Sequence, residues 1–251
     1  MTQALSRSER LQIGTSGWNF DDWIGDFYRK GVRQEDMLPQ YAETFGSVEV
    51  NGTFYNLPKK ETVHKWVSAT PDDFRFAVKA SRYLTHMKKL KDPDEGIANF
   101  FDSMKPFGAK LGPVLFQLPP NWNCNLERLR NFLESLPGEH QYTFEFRDKD
   151  WLRDETYDLL SEHGAALCFY HYKGFLSPFK VTGDFIYLRL HGPSEEAYKG
   201  SYPDKDLEQF ADEADAWLNE GMSVHVYFDN DEKAYAPNDA RRFREMLGDR
   251  A

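Results

Sequence analysis

The feature that most constrains the fold is a series of eight short apolar runs, each rich in β-branched or aromatic residues. Each run has the length of a β-strand. Several are nearly continuous in apolar residues, as strands covered on both faces are. The runs span residues 11–15, 47–50, 74–79, 114–117, 142–146, 166–169, 185–190 and 223–228. We therefore predict eight strands, most of them buried on both sides.

Amphipathic segments with helical periodicity separate most of these runs. They cover residues 37–45, 61–67, 97–107, 126–136, 156–163, 207–218 and 239–247. The sixth connection, residues 170–184, has little helical pattern and is expected to be a loop. Strands that alternate with helices form a parallel sheet, and eight such strands close into a barrel. The predicted fold class is α/β, a single (β/α)8 barrel of the TIM type with parallel strands.

An open, doubly wound sheet is the rival architecture. Its first strand is usually followed by a glycine-rich phosphate loop, whereas residues 14–18 here read GTSGW and lack the GxGxxG pattern. The length of 251 residues is typical of one barrel, and no repeat or linker divides the chain. We predict a short polar N-terminal tail at residues 1–10 and a single TIM-type barrel domain at residues 11–251.

Charge and cysteine content restrict the partners and the compartment. The net charge of −10 argues against non-specific binding to nucleic acid or to anionic membranes, although it permits a small basic pocket. The two cysteines, Cys124 and Cys168, form no CxxC motif, which favours a reducing compartment. The sequence has neither a signal-peptide pattern nor an apolar run of the roughly 18 residues that span a bilayer. We expect a soluble cytoplasmic protein.

Nearly every predicted strand ends in polar residues, and in this fold active sites lie at the C-terminal ends of the strands. Glu49 and Asn51, Glu145 and Arg147, and Arg189 and His191 are each two residues apart. The members of each pair therefore point to the same side of their strand. The full set of candidate residues is Trp18, Glu49, Asn51, Tyr55, Lys79, Gln117, Glu145, Arg147, Arg189, His191, Tyr227, Asp229 and Asn230.

These side chains suggest acid–base chemistry on an anionic substrate. Arginine grips phosphate or carboxylate groups with two hydrogen bonds, so Arg147 and Arg189 are candidate anion binders, with Lys79 as a further positive charge. The candidate catalytic residues are Glu49, Glu145, His191 and Asp229, which have carboxylate or imidazole groups able to transfer protons. The remaining candidates are assigned to substrate binding: Trp18, Tyr55 and Tyr227 as flat walls, and Asn51, Gln117 and Asn230 as polar contacts.

Other interpretations of the same residues remain open. The three cations and three carboxylates could simply neutralise each other in a structural ion-pair network. Glu145, His191 and Asp229 could instead bind manganese or zinc, although the neighbouring arginines compete for the carboxylates. Two carboxylates could hydrolyse a glycoside at a suitable separation. The sequence requires no cofactor and assigns no metal ligand, and it contains no GxSxG, Walker or HExxH motif.

Two loops have both a structural and a functional interpretation. Residues 88–91 contain three lysines, which are expected to be solvated but could steer an anion. Residues 198–202 read YKGSY, and this aromatic loop with a glycine is either an ordinary turn or a lid over the site.

Seven ordered blocks of sequence resemble the YecE-like family of domains of unknown function, collinearly from about residue 13 to residue 247. The blocks read IGTSGW at 13–18, VEVNGTFY at 48–55, FAVKA at 76–80 with Thr85-His86, LFQLPP at 115–120, FEFR at 144–147, LHG at 190–192 with YKGSY at 198–202, and YFDND at 227–231. The resemblance implies a (β/α)8 barrel from a bacterium or archaeon, and it implies no assigned reaction.

Family members have been compared at fold level with divalent-metal endonucleases and sugar isomerases, which is analogy only. The chain departs from the family at Asp229, where the family usually has an asparagine, and this adds a carboxylate.

Three functional hypotheses follow, and we order them by the side chains available. The first is an enzyme that acts on a small anionic substrate, such as a phosphorylated sugar or a nucleotide-like compound. The second is a metal-dependent phosphodiesterase acting on nucleic acid, which needs a basic approach surface that the net charge does not promise. The third is a non-catalytic binding protein that uses the same residues.

Overall fold

A computed structural model describes residues 5–248 of the chain. Within these residues, eight parallel strands follow one another in a single sheet, in the order β1-β9-β8-β6-β5-β4-β3-β2, and form a nearly closed (β/α)8 barrel. A ninth, short strand, β7, pairs antiparallel with β6. The strands are β1 (Leu11–Thr15), β2 (Ser47–Val50), β3 (Arg75–Lys79), β4 (Leu111–Leu118), β5 (Tyr142–Phe146), β6 (Ala166–Tyr172), β7 (Phe175–Leu176), β8 (Phe185–Leu190) and β9 (Ser223–Phe228). The predicted fold class is confirmed.

Helices lie between most of the strands where helical periodicity predicts them. They are α1 (Arg7–Arg10), α2 (Gln34–Ala42), α3 (Gly52–Tyr55), α4 (Lys60–Ser68), α5 (Asp94–Met104), α6 (Leu126–Glu134), α7 (Asp154–Glu162), α8 (Asp204–Asn219) and α9 (Tyr235–Gly248). Four of them, α2, α5, α8 and α9, begin three or four residues before the predicted start, because their first turns are polar or otherwise outside the apolar pattern. None of the helices described combines the length and the apolar character needed to cross a membrane.

The N-terminal segment is more ordered than a polar tail. Ser6 and Glu9 form a capping box at the start of α1. Arg7 forms an ion pair with Asp215 in α8, and the Arg10 Nη1 donates to the Leu218 carbonyl at 2.8 Å. Residues 1–4 of the predicted tail lie outside the described residues.

The described residues divide into two compact units, each with its own core. Unit 1 comprises residues 5–48, 169–177 and 185–248, and unit 2 comprises residues 49–168 and 178–184. The predicted single barrel domain stays a prediction, and the two units are described in turn.

Side-chain alternation along β8 and β9 organises the core of unit 1. The strands pair in parallel, with Tyr187 opposite His225 and Arg189 opposite Tyr227. One face is apolar and packs on helices, as Phe228 does against Phe243 of α9 at a ring distance of 5.8 Å. The opposite face carries Tyr187, His225, Tyr227 and Arg189, all of them buried. The charged ends of these strands therefore lie on the same face as a stack of buried rings.

A buried tyrosine joins the two terminal strands of the sheet within unit 1. The Tyr41 hydroxyl accepts a hydrogen bond from the Thr15 amide of β1 at 2.9 Å and donates one to the Ser47 carbonyl of β2 at 2.9 Å. Gly14 makes this approach possible, because a Cβ there would lie 2.1 Å from the Ser47 oxygen and 2.8 Å from the Tyr41 hydroxyl. A side chain at Gly14 would push the two strands apart.

Aromatic packing between strands and helices holds unit 2 together. Phe116 of β4 stacks on Phe144 of β5 at 5.2 Å and meets Phe132 of α6 edge-on at 5.0 Å. The same strand pairing places Gln117 opposite Glu145.

A buried lysine caps the C-terminal end of α4. The Lys110 ammonium donates to the carbonyls of residues 67 and 70 at 2.7 and 2.8 Å.

The connection after β6 contains no helix in the described structure, as predicted. Instead, β7 folds back on β6, and Ser177 completes the turn by accepting a hydrogen bond from the Tyr170 amide at 2.8 Å. The antiparallel return is a feature that the sequence pattern did not predict.

Gly14→Ala tests the joint between β1 and β2. We expect this substitution to lower the free energy of unfolding by on the order of 3 kcal/mol, because the added methyl group overlaps the Ser47 carbonyl. Gly46→Ala is the matched control, since nothing lies within 4 Å of a Cβ at that position. Denaturant unfolding measures both. Equal stability of the two variants would contradict the proposed joint.

Candidate functional site

A buried arginine, a histidine and an aspartate meet at the ends of β8 and β9 in unit 1. The Arg189 Nη2 lies 3.0 Å from Asp229 Oδ2, and its Nη1 lies 3.3 Å from His191 Nε2. The His191 Nδ1 lies 2.8 Å from the same Asp229 oxygen. Arg189 and His191 are each 1% exposed, whereas the Asp229 side chain is 12% exposed. Asp229 is therefore the most solvent-exposed of the three residues.

The contacts determine which ring nitrogen of His191 carries the proton. A guanidinium group only donates hydrogen bonds, so the Nε2 atom beside Arg189 must present its lone pair. The proton of a neutral ring then lies on Nδ1, next to the Asp229 carboxylate. A carboxylate beside Nδ1 fixes both the tautomer and the orientation of an imidazole. His191 is thus oriented as a proton acceptor at Nε2.

Two tyrosine rings cover His191. Tyr172, at the end of β6, meets the imidazole edge-on at 5.3 Å, and Tyr198 does so at 5.7 Å. Tyr198 belongs to the predicted lid, is 42% exposed, and has a left-handed backbone with φ 66°. Gly192 begins this loop with φ 104°, where a Cβ would lie 2.4 Å from the Lys199 carbonyl. The loop therefore depends on the absence of a side chain at Gly192.

Asp239 at the start of α9 anchors the far end of the same loop. Its carboxylate accepts from Ser201 Oγ at 2.6 Å, from the Tyr202 amide at 2.8 Å and from Asn230 Nδ2 at 2.8 Å. Asn230 also donates to the Gly200 carbonyl at 2.8 Å. These contacts show that Asn230 holds the loop, and its assignment to substrate binding stays a prediction.

Sequence reasoning did not include Asp231 among the site residues. Burial, followed by the negative charge of Asp229, raises the pKa of Asp231 to about 6. Its carbonyl accepts a hydrogen bond from the indole of the buried Trp23 at 2.8 Å. Asp231 lies two residues after Asp229, and the same two-residue spacing identified the other pairs. This two-residue spacing from Asp229 is the sequence feature that could have identified Asp231 as a site residue.

Two aromatic candidates in unit 1 have different surroundings. Tyr227 is completely buried, with its hydroxyl 2.6 Å from Ser47 Oγ and its ring 5.2 Å from that of Tyr187. This packing connects Tyr227 to the core. Trp18 is half-buried, and its carbonyl accepts a hydrogen bond from the Tyr28 hydroxyl.

A second polar cluster lies at the ends of β4 and β5 in unit 2. The fully buried Glu145 carboxylate accepts from Gln117 Nε2 at 2.6 Å and forms an ion pair with Arg147 through the same oxygen, Oε1. Its other oxygen, Oε2, lies 3.7 Å from the thiol of Cys168, which is itself buried. The strand register therefore brings three predicted residues, Gln117, Glu145 and Arg147, into direct contact.

Lys79 and its neighbours form the basic side of unit 2. The Lys79 ammonium lies 4.4 Å from the centre of the Phe54 ring, and the same ring meets His86 edge-on at 4.9 Å. Burial, followed by the positive charges of Lys79 and Arg82, lowers the pKa of His86 to about 4. His86 is therefore neutral at physiological pH.

The three remaining candidates come from the chain around β2. Glu49 is completely buried, and Tyr55 is 65% exposed on α3. The Asn51 Oδ1 atom is buried without a hydrogen-bond partner in the described structure. A buried acceptor of this kind is uncommon, and Asn51 keeps its predicted role in ligand contact as a proposal.

The possible metal site from Glu145, His191 and Asp229 has no support from the side-chain arrangement. Among residues 5–248, no group of three or more His, Cys, Asp and Glu side chains is placed to hold a metal ion. Arg189 also donates to the Asp229 oxygen that lies nearest His191.

Comparison with known proteins identifies relatives over the whole barrel. The sequence profile described as "Protein of unknown function DUF72" matches residues 12–251. The UPF0759 protein YecE of Escherichia coli K12 is 36% identical over 138 residues, which cover 55% of this chain and 48% of that protein. The chain thus spans about half the length of the curated relatives it matches.

Solved structures agree with this match. A DUF72 family protein from Thermotoga maritima aligns with a TM-score of 0.85 and 31% identity, covering 95% of this chain and 99% of that one. A DUF72 family protein from Enterococcus faecalis aligns with a TM-score of 0.78 and 21% identity, covering 95% of each chain. The second likeness shows the fold alone.

Asp231→Asn tests the electrostatics beside Asp229. Because the folded pKa is about 6, above the ordinary 3.8, the carboxyl of wild-type Asp231 costs stability as the pH rises from about 4 to 6 and beyond. The variant has no ionisable carboxyl at this position, so its stability does not fall for this reason as the pH rises. We expect it to gain more thermal stability relative to wild type at pH 7.5 than at pH 4. The exposed Asp26→Asn is the control, and equal changes at both pH values would contradict the raised pKa.

Proposed function

Because this chain belongs to the DUF72 family of proteins of unknown function, we propose its activity from its own side chains. We propose that it is an enzyme acting on a small anionic substrate. The cluster of Arg189, His191 and Asp229 both binds the anion and transfers a proton. The contact between Arg189 Nη1 and His191 Nε2 carries this proposal, because it links an anion-binding group directly to a base.

Arg189 is suited to exchange partners. Its Nη2 donates to the Asp229 carboxylate at 3.0 Å, which is a strong, charge-assisted contact. Its Nη1 donates at 3.3 Å to the neutral ring of His191, which is a weaker acceptor than an anion. A substrate phosphate or carboxylate oxygen would replace the imidazole as the partner of Nη1. Anion binding is therefore expected to leave the ion pair with Asp229 in place.

The same exchange would activate His191. Once Nη1 bonds to the substrate, the lone pair of His191 Nε2 becomes available to accept a substrate proton. The Asp229 carboxylate, 2.8 Å from Nδ1, would stabilise the imidazolium that forms. Asp231, whose pKa is raised to about 6, keeps its proton to a higher pH than an ordinary aspartate and is proposed as the matching acid. The reaction class is proton transfer at a group close to the bound anion.

Access to His191 requires the loop that carries Tyr198 to move. The imidazole is covered by the Tyr198 ring at 5.7 Å, and the loop is flanked by Gly192 and Gly200, both with positive φ. Its anchor on Asp239 lies beyond Gly200, so Tyr198 can shift while Tyr202 stays fixed. We propose that residues 193–199 act as a lid that excludes water from the substrate.

The cluster in unit 2 is proposed as a second set of functional groups. Glu145 is a fully buried carboxylate whose Oε1 contacts Gln117 and Arg147 and whose Oε2 lies 3.7 Å from the Cys168 thiol. We propose this carboxylate as a base because carboxylates are among the groups that transfer protons in active sites. Glu49 is proposed in the same role, and Lys79 and Arg147 are proposed as contacts for anionic groups.

Phosphorylated sugars and nucleotide-like compounds remain the proposed substrates. We propose that the reaction requires no cofactor and that the protein is cytoplasmic.

His191→Asn tests the proposal. Compounds that stabilise the wild type in a thermal-unfolding screen should also stabilise the variant, because Arg189 is retained. Their conversion, followed by NMR, should fall by about 100-fold or more, the usual contribution of an acid–base residue. His64→Asn, an exposed histidine, is the control.

Two results would contradict the acid–base role of His191. One is wild-type turnover by His191→Asn. The other is the failure of every phosphorylated or carboxylated compound to stabilise the wild-type protein.

Glu145→Gln gives an independent test within unit 2. The substitution keeps the shape of the side chain and removes the base, so we expect ligand binding to persist and turnover to fall. It also leaves Arg147 without its carboxylate, at a cost on the order of 3 kcal/mol in stability, so assays must be run well below the melting temperature. Glu134→Gln, exposed on α6, is the control. Unchanged turnover would remove Glu145 from the mechanism.

A further inference from the structure

Positive charge is concentrated in one stretch of an otherwise acidic chain. Residues 74–91, here called the basic segment, contain six lysines and arginines and no aspartate or glutamate, although the whole chain has a net charge of −10. The sequence alone did not separate the three lysines at residues 88–91 from an ordinary solvated loop. The side-chain positions in unit 2 make the distinction.

The fold of the basic segment brings its cations beside an exposed ring. A single turn of π-helix, Tyr83–Met87, is closed by a hydrogen bond in which the Lys88 amide donates to the Tyr83 carbonyl at 2.9 Å. The Lys88 ammonium thus lies 5.7 Å from the centre of the Tyr83 ring. In the part of the chain that the structure describes, Arg82, Lys88 and Lys89 are in no ion pair, whereas Lys91 pairs with Asp92.

The Tyr83 ring forms one wall of a surface pocket. The pocket has a volume of about 270 Å³, with apolar walls from Leu57, Tyr83 and Leu84 and polar groups from Ser81, Glu95 and Asn99. Tyr83 is 41% exposed, and Leu57 is 36% exposed. A flat apolar wall, hydrogen-bonding groups around it and a lysine over the ring therefore occur together. None of the proposed catalytic residues lines this pocket.

We propose that the basic segment and the Tyr83 pocket bind single-stranded nucleic acid. One base stacks on the Tyr83 ring inside the pocket, and the adjoining phosphates contact Arg82 and Lys88. Aromatic stacking combined with a cationic track is how proteins bind single strands without sequence preference. Because it uses other residues, this site is independent of the function proposed for Arg189, His191 and Asp229.

The polar groups of the pocket favour a base over an acidic sugar. Glu95 would accept hydrogen bonds from the amino group of a base, and Asn99 can both donate to a base edge and accept from it. The same Glu95 carboxylate would repel the carboxylate or sulfate groups of an anionic polysaccharide. Tyr83 would stack on a sugar as readily as on a base, so Glu95 is the residue that discriminates.

Fluorescence anisotropy of the full chain with labelled oligonucleotides of about twelve residues tests the site. We expect the wild type to bind at about 50 mM salt and to weaken as salt increases. Tyr83→Leu should weaken binding by about tenfold with an unchanged salt slope, and Tyr83→Phe should restore it. The double variant Arg82→Glu with Lys88→Glu should reduce the salt slope by about 1.4, at roughly 0.7 per phosphate contact. Lys205→Glu, exposed on α8, is the charge control.

Three outcomes would overturn the proposal. The first is no binding of any single strand by the wild type at low salt. The second is a nucleoside monophosphate that binds as tightly as the strand. The third is heparin that competes for the segment and binds Tyr83→Leu as tightly as wild type, which would show an unspecific polyanion surface. The turnover of His191→Asn tests the proposed enzymatic function alone, so the two proposals can fail independently.

Discussion

Buried charge must be matched, and this constraint determines how the strand ends of this barrel are arranged. Strands covered on both faces leave little water for the polar residues that end them, so each charge has to meet a protein partner. In unit 1 the Arg189 guanidinium meets Asp229, and the Asp239 carboxylate receives four donors from the loop and α9. In unit 2 Glu145 meets Gln117 and Arg147. Removing the oppositely charged partner from any of these groups would take away the charge that balances the remaining one.

The contacts of Asp239 and Arg189 differ, and the acid–base proposal rests on this difference. Asp239 has donors on both oxygens, and they tie α9 to the loop, so its role is to hold the fold. The Arg189 Nη2 lies 3.0 Å from a carboxylate oxygen, whereas its Nη1 lies 3.3 Å from an imidazole nitrogen. In the proposed function, an incoming anion replaces the imidazole and leaves the ion pair with Asp229 in place. This asymmetry is why the acid–base proposal centres on His191.

Local patterns predicted the strands well and the site only in part. Five strands have the predicted ends. Residues two apart in a strand share a face, which correctly predicted that Arg189 and His191 lie together. Contacts between distant segments were beyond such patterns. The structural role of Asn230 depends on Asp239, nine residues later in the chain. Similarly, the hydrogen bond from Tyr41 to the Ser47 carbonyl requires the absence of a side chain at Gly14, which lies far from both in the sequence.

The central claim is that His191 is a neutral base that an anion releases from Arg189. Ring 15N NMR of the wild-type protein, recorded with and without inorganic phosphate, tests this most directly. The account predicts an imidazole protonated at Nδ1 and unprotonated at Nε2, whose Nε2 resonance shifts when phosphate binds. A ring that stays doubly protonated across neutral pH and does not respond to phosphate would mean that Arg189, His191 and Asp229 form a structural network, and would contradict the proposed function.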